Sequence, residues 1–268
     1  MNINITREDF ERYCPSAVMP DDVVYNRISA YFDNGIRLAQ RIVGPGVSDD
    51  VETLRLATRV AVLEAYNLAI PHLDLVLTEN GFGVVSNQNV APASRDRVLR
   101  LAQQVRDSRD DAVDDLLDAL RGKEQWREHA IAIGAFASLV WNAKRQLPVM
   151  GVTDAHRTKM TELRPVIDAA EELLKQYMSE DLHLEMRMAL LGGDLGKEQT
   201  ALLHKALLFI GAYITGTQKM IRWHMAQIIE FLERHLDTFE TYKTSSAHQA
   251  NTFTPYSNKK DDPCYFFG

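Results

Sequence analysis

A chain of 268 residues, 46% hydrophobic and 25% charged, is long enough to bury a substantial core and has the make-up of a globular protein. Its net charge of -7 and pI near 5.6 argue against a broad basic face that grips nucleic acid, though not against a protein that encloses DNA without holding it. Cys14 and Cys264 lie near opposite ends and read as two reduced thiols rather than a disulfide framework.

Thr6 caps a short first helix that ends by Pro15, and Pro20-Asp21-Asp22 opens a stronger one. Val24, Ile28, Tyr31, Phe32 and Ile36 recur at helical spacing down to about Val43, where Gly44-Pro45-Gly46 stops it. Ser48-Asp-Asp-Val starts a third helix with a small-residue stripe at Ala57, Ala61 and Ala65, and Pro71 ends it.

The period then changes. Leu73, Leu75 and Leu77 alternate, Asn80-Gly81 is a two-residue hairpin signal, and Phe82-Gly83-Val84-Val85 returns as a second strand. An isolated two-stranded hairpin is marginal in water, so it needs a surface or a neighbour's sheet edge. Ser94 caps the next helical stretch, which runs to about Gly122 with an interruption at Asp107 to Asp111. Its acids, among them Asp110, Asp111 and Asp114, form either a solvated face or a surface that repels a polyanion or meets a basic partner.

Lys123 to Lys144 reads as one buried helix, and Pro148 to Gly151 as a boundary between two helical parts. Met160 to Met178 follows, with Pro165 near its first turn; Ser179 caps a further helix that stops at Gly192-Gly193, and Thr200 to Leu236 breaks near Gly216. From Thr241 the pattern fails, leaving a polar arm tipped by Tyr256, Tyr265, Phe266 and Phe267, aromatics that are costly to leave in water. The expected fold is mainly α: a helical bundle over 1–147 with a projecting β-hairpin at about 73–86, a second helical part over 148–243, and an extended C-terminal arm over 244–268.

No catalytic, cofactor or metal motif emerges. Glu180-Asp-Leu-His183 has the spacing of one half of a di-iron site but no second copy, which leaves a capping acid and a surface histidine. His204, His224 and His235 are too widely spaced for a zinc pair, and Gly81-Phe-Gly83 lacks the third glycine of a dinucleotide loop. His72 and Asp74 have no nucleophile in view. The most apolar runs are short of the ~20 residues that cross a bilayer, and Met1-Asn-Ile-Asn-Ile-Thr carries no secretory signal, so the expectation is a soluble protein with no membrane partner.

Three stretches together resemble a known family. The Asn-Gly-Phe-Gly-Val-Val-Ser-Asn run leading into Ala91-Pro-Ala-Ser94, the opening Ile5-Thr-Arg-Glu-Asp-Phe and the closing Asp-Asp-Pro-Cys-Tyr-Phe-Phe-Gly268 are similar to head-to-tail connector, ring or adaptor proteins of Bacteroides phages and prophages, including the crAss-like phages. The resemblance implies a virion structural subunit made in the bacterial host cytoplasm. It implies a homo-oligomeric ring, often dodecameric, stacked on the portal protein and other connector or tail proteins, with DNA passing through but not bound by sequence. On that reading Asn80, Gly81, Phe82, Val84, Tyr256, Tyr265, Phe266 and Phe267 meet neighbouring subunits, and Asp110, Asp111 and Asp114 face the channel, where unneutralised phosphates slide. The alternative is a helical enzyme or ligand-binding protein with a pocket near the hairpin.

Overall fold

A computed structural model of the chain describes residues 1–14, 22–47, 50–73, 75–78, 81–84 and 95–252. Helix α1, Arg7–Tyr13, begins where Thr6 and Asp9 cap each other: the Thr6 side chain accepts from the Asp9 N–H and the Asp9 carboxylate accepts from the Thr6 N–H. The expected second helix is two, α2 (Asp22–Ser29) and α3 (Phe32–Val43), broken at Ala30-Tyr31. The break lets α3 lie tightly on α4 (Val51–Ala69), for a Cβ at Gly35 would sit 2.0 Å from the Ala61 carbonyl oxygen. Gly44 ends α3 at φ +71°, and Asp50 caps α4 by accepting from the Thr53 N–H at 2.9 Å.

After a short 3-10 turn, Ile70–His72, strand β1 (Leu75–Thr78) pairs antiparallel with β2 (Gly81–Val84), Thr78 opposite Gly81 and Leu75 opposite Val84. That register places Gly81 in the second strand, opposite Thr78, whereas the Asn80-Gly81 signal puts it in the turn. The pair is a minor element of a mainly α-helical chain, and Ser94 lies outside the described residues.

Helix α5, Arg95–Arg121, runs for 27 residues with no interruption at its aspartates. The single helix expected over Lys123 to Lys144 is instead α6 (Glu124–Arg127), α7 (Ala130–Ala135) and α8 (Ala143–Gln146), with a non-helical segment over 136–142. A run apolar on so many sides satisfies itself better by doubling back: Phe136 stacks on Trp141 at 4.6 Å, and Trp126 Nε1 donates to the Ile42 carbonyl. Helix α9 spans Arg157–Met178, so Pro165 falls two turns inside it and not in its first turn.

Ser179 caps α10 (Glu180–Gly192), Gly193 ends it in the left-handed region, and Gly216 does the same between α11 (Lys197–Thr215) and α12 (Gln218–Arg234). Gly211 is fixed by packing, since a Cβ there would lie 2.4 Å from the Met150 carbonyl oxygen. The first part of the expected extended arm is helical: α13 (Glu240–Lys243) leads to α14 (Ser246–Thr252), whose Asn251 amide donates to the Tyr177 carbonyl and to the Tyr242 hydroxyl. One apolar cluster runs from Ile3 to Ala247, through Leu147 and Met150 on either side of Pro148.

Candidate functional site

The acids over 107–118 of α5 do not form a solvated face. Asp110 and Asp114 are 3% and 1% exposed, one helical turn apart, in register with buried Leu117. Asp110 Oδ2 accepts from both the N–H and the hydroxyl of Thr158 at 2.8 Å, in the first turn of α9. Asp114 accepts from the Lys144 N–H in the first turn of α8 and from Arg157. Each carboxylate therefore caps a helix distant in sequence, satisfying N–H groups that would otherwise be orphaned.

Basic side chains close the network. Arg109 bridges Asp110 to Glu64 of α4, and Arg59 reaches Asp115 at 2.9 Å. Lys144 lies 3.4 Å from Asp111, Arg145 2.8 Å from Asp118, and His156 between Asp107 and Asp111. Burial pushes the Asp114 carboxyl up, only partly offset by Arg157 and the backbone N–H groups of Lys144 and Ala143. The expectation that Asp110 and Asp114 line a channel is corrected accordingly, since both are buried and hydrogen-bonded inside the fold; Asp111 is half-buried beside Lys144.

A second polar hub serves the non-helical segment. Its backbone has no ladder to join, so side chains supply the partners. Glu171 of α9, 4% exposed, accepts from the Ser138 hydroxyl at 2.6 Å and the Leu139 N–H at 2.9 Å; Ser138 Oγ in turn accepts from the Val140 N–H. Gln146 accepts from the N–H groups of Trp141 and Asn142 and donates to the Leu139 carbonyl, and Arg187 donates to the Phe136 carbonyl. His183 Nε2 lies 3.3 Å from the other Glu171 oxygen.

His183 is therefore buried and paired with Glu171, not a surface histidine beside Glu180. Burial would raise the Glu171 carboxyl, but hydrogen bonds from His183, Ser138 and the Leu139 N–H outweigh it and hold the group below its usual range. Serine, histidine and glutamate meet here, yet the serine O–H donates to the carboxylate and not to the imidazole. The chemistry is that of a fastener: a charged acceptor fixing three donors.

The sequence signal for both hubs is an acid falling in step with an apolar stripe. Asp110, Asp114 and Leu117 share one stripe; Ile167, Glu171, Leu174 and Met178 share another.

On the surface, a cleft of about 600 Å³ lies where α9, α10 and α14 meet, lined by Glu172, Lys175, Ser179, Glu180, Asp181 and Ser246 among others. Ser179 holds φ +76° there, a position compensated by its hydroxyl accepting from the Leu182 N–H. Large apolar side chains stand exposed on α10 (Leu184, Met188) and on α12 (Met220, Trp223). Of the expected interface residues, Gly81, Phe82 and Val84 belong to β2, while Asn80, Tyr256, Tyr265, Phe266 and Phe267 lie outside the described residues. Among the described residues no group of three His, Cys, Asp or Glu side chains is arranged to hold a metal ion, and no helix is long and apolar enough to cross a membrane.

A mainly helical body cross-braced by buried charges is the class of protein that the fold and these hubs define. The chain belongs to DUF6712, a family of unknown function, whose model matches residues 29–131 and 211–252, more than half of its length. Asp110, Asp114 and the α12 surface fall within the matched segments; Ser138, Glu171 and His183 fall between them. No curated protein and no solved structure matches it.

Proposed function

We propose that the chain is a virion structural protein, a subunit of a head-to-tail connector ring through which phage DNA passes. The observation that carries this reading is the use to which its charged groups are put. Asp110, Asp114 and Glu171 sit inside, each holding segments 30 or more residues away, which suits a static building block that must keep its shape under load. The resemblance of both ends and the hairpin to ring and adaptor proteins points the same way. The strand pair adds to it, because a two-stranded sheet has two outer edges to offer a neighbour. The partners on this reading are further copies of the chain, the portal protein and other connector or tail proteins. DNA meets it only in passage, past an overall acidic subunit of net charge -7.

A ligand-binding protein or enzyme is the competing reading, and the polar cleft between α9, α10 and α14 is the feature that favours it. Mass spectrometry of purified virions separates the two. A connector subunit is recovered from particles freed of host proteins by density-gradient centrifugation and nuclease treatment; a protein confined to the infected-cell lysate is not a connector.

A further inference from the structure

We propose that an acidic, apolar stripe on α10 and a basic, apolar stripe on α12 are the two halves of a contact between copies of this chain. Eight large hydrophobic side chains are exposed among the described residues, and four of them are concentrated on these two helices. Leu184 and Met188, 50% and 58% exposed, are one turn apart on α10; Met220 and Trp223, 41% and 53% exposed, are one turn apart on α12. Each pair makes a short ridge of the kind that packs into the groove of a facing helix.

Charge decides which ridge meets which. The first turn of α10 carries Glu180 and Asp181, both exposed, just ahead of Leu184. The start of α12 carries Lys219 and Arg222, both exposed, interleaved with Met220 and Trp223, and no acid follows until Glu230. None of these four charges is in an ion pair among the described residues, unlike the acids of α5. Two α10 stripes would repel each other, as would two α12 stripes. An α10 stripe attracts an α12 stripe, so the occupant that fits is a second copy of the chain.

Such a contact joins two different surfaces, leaving each end of a pair with one stripe still open. It therefore repeats, and closes into a ring where the rotation allows. Closure into a connector ring rests on the proposed function; the pairwise contact does not. Stable interfaces bury about 1,200–2,000 Å², more than these side chains supply alone, so one contact is weak in isolation and sensitive to salt.

The test is sedimentation velocity of the full chain at low and high salt, with two charge-reversed variants whose folding is checked by circular dichroism. In one, Lys219→Glu and Arg222→Glu make α12 acidic; in the other, Glu180→Lys and Asp181→Lys make α10 basic. The parent is expected to self-associate at low salt and to dissociate as salt rises. Each variant alone is expected to associate at least about tenfold more weakly. An equimolar mixture is expected to recover assembly, since every α10–α12 pairing between unlike variants is again complementary, and folding damage cannot produce that recovery. A parent that sediments as a 30.4 kDa monomer at high concentration and low salt overturns the proposal and assigns the stripes to a different protein. Variants that assemble like the parent, or a mixture that fails to recover, overturn it while leaving the ring reading standing. Absence from virions overturns the ring reading and leaves the α10–α12 contact to be judged by sedimentation alone.

Discussion

Asp110 of α5 caps α9 from 48 residues away, its Oδ2 accepting from both the N–H and the hydroxyl of Thr158 at 2.8 Å. His156, at the N-cap position of α9, makes no side-chain capping bond, so the helix start depends on this distant carboxylate. Asp114 adds a second cap to α8, whose own N-cap Asn142 already accepts from the Arg145 N–H, and both aspartates stand beside arginines that are themselves only partly exposed. Replacing Asp110, Asp111 and Asp114 together by Asn leaves the half-buried Arg109 and Arg157 guanidinium groups without these charged partners and weakens two caps, at a combined cost of about 3–6 kcal/mol. Melting followed by circular dichroism is expected to fall by about 10 °C or more. Asp96→Asn, at an exposed position of the same helix, is the control and is expected to change melting little. A triple variant that melts with the parent contradicts the fastener role.

Glu171 gives the stability a pH dependence of known sign. Its folded carboxyl titrates below the ordinary value of 4.5, so its contribution is complete above that value and is lost as pH falls through the lowered folded one. Glu171→Gln is expected to cost about 2–4 kcal/mol at neutral pH, because a charged acceptor of three buried donors is lost. Urea denaturation of parent and variant at pH 7 and at pH 4 checks this, with the gap narrowing at the lower pH. A gap that widens on acidification means the carboxyl is held protonated in the fold.

Two glycines inside helices should respond oppositely to alanine. At Gly211 a Cβ would lie 2.4 Å from the Met150 carbonyl oxygen, so Gly211→Ala overpacks the α11 contact and is expected to destabilise by about 1–3 kcal/mol. At Gly134 in α7 no atom lies within 4 Å of the added carbon, and Gly134→Ala is expected to stabilise by up to about 1 kcal/mol through helix propensity. Chemical denaturation of the two variants reads both signs, and equal effects would mean that Gly211 is not pinned by Met150.

Cys14 is buried at the end of α1, and burial pushes its thiol up to about 12. The thiolate is the reactive form, so in a Cys264→Ser background Cys14 is expected to resist an aromatic disulfide reagent at pH 8 until denaturant is added. Prompt reaction of the native protein contradicts the burial of Cys14.

What could be read from the sequence was local. Thr6, Ser179, Gly44, Gly193 and Gly216 mark helix ends because a cap or a left-handed glycine acts within a few residues, and each stands where expected. The α4 stripe of Ala57, Ala61 and Ala65 was legible for the same reason, although its close crossing with Gly35 was not. Three misreadings share one cause. The unbroken α5, the fragmented 123–144 stretch and the helical start of the supposed arm are decided by partners tens of residues away: Thr158 for Asp110, Glu171 for Ser138, Tyr177 for Asn251. A polar residue on an apolar stripe announces that it needs a partner; it does not say which.

The most direct test of the connector reading is quantitative mass spectrometry of purified virions, with the portal protein as internal reference. A subunit of a ring stacked on the portal is predicted in a copy number comparable to the portal's, unchanged by washing at high salt. Absence from the particles, or a trace amount that washes away, would contradict the account.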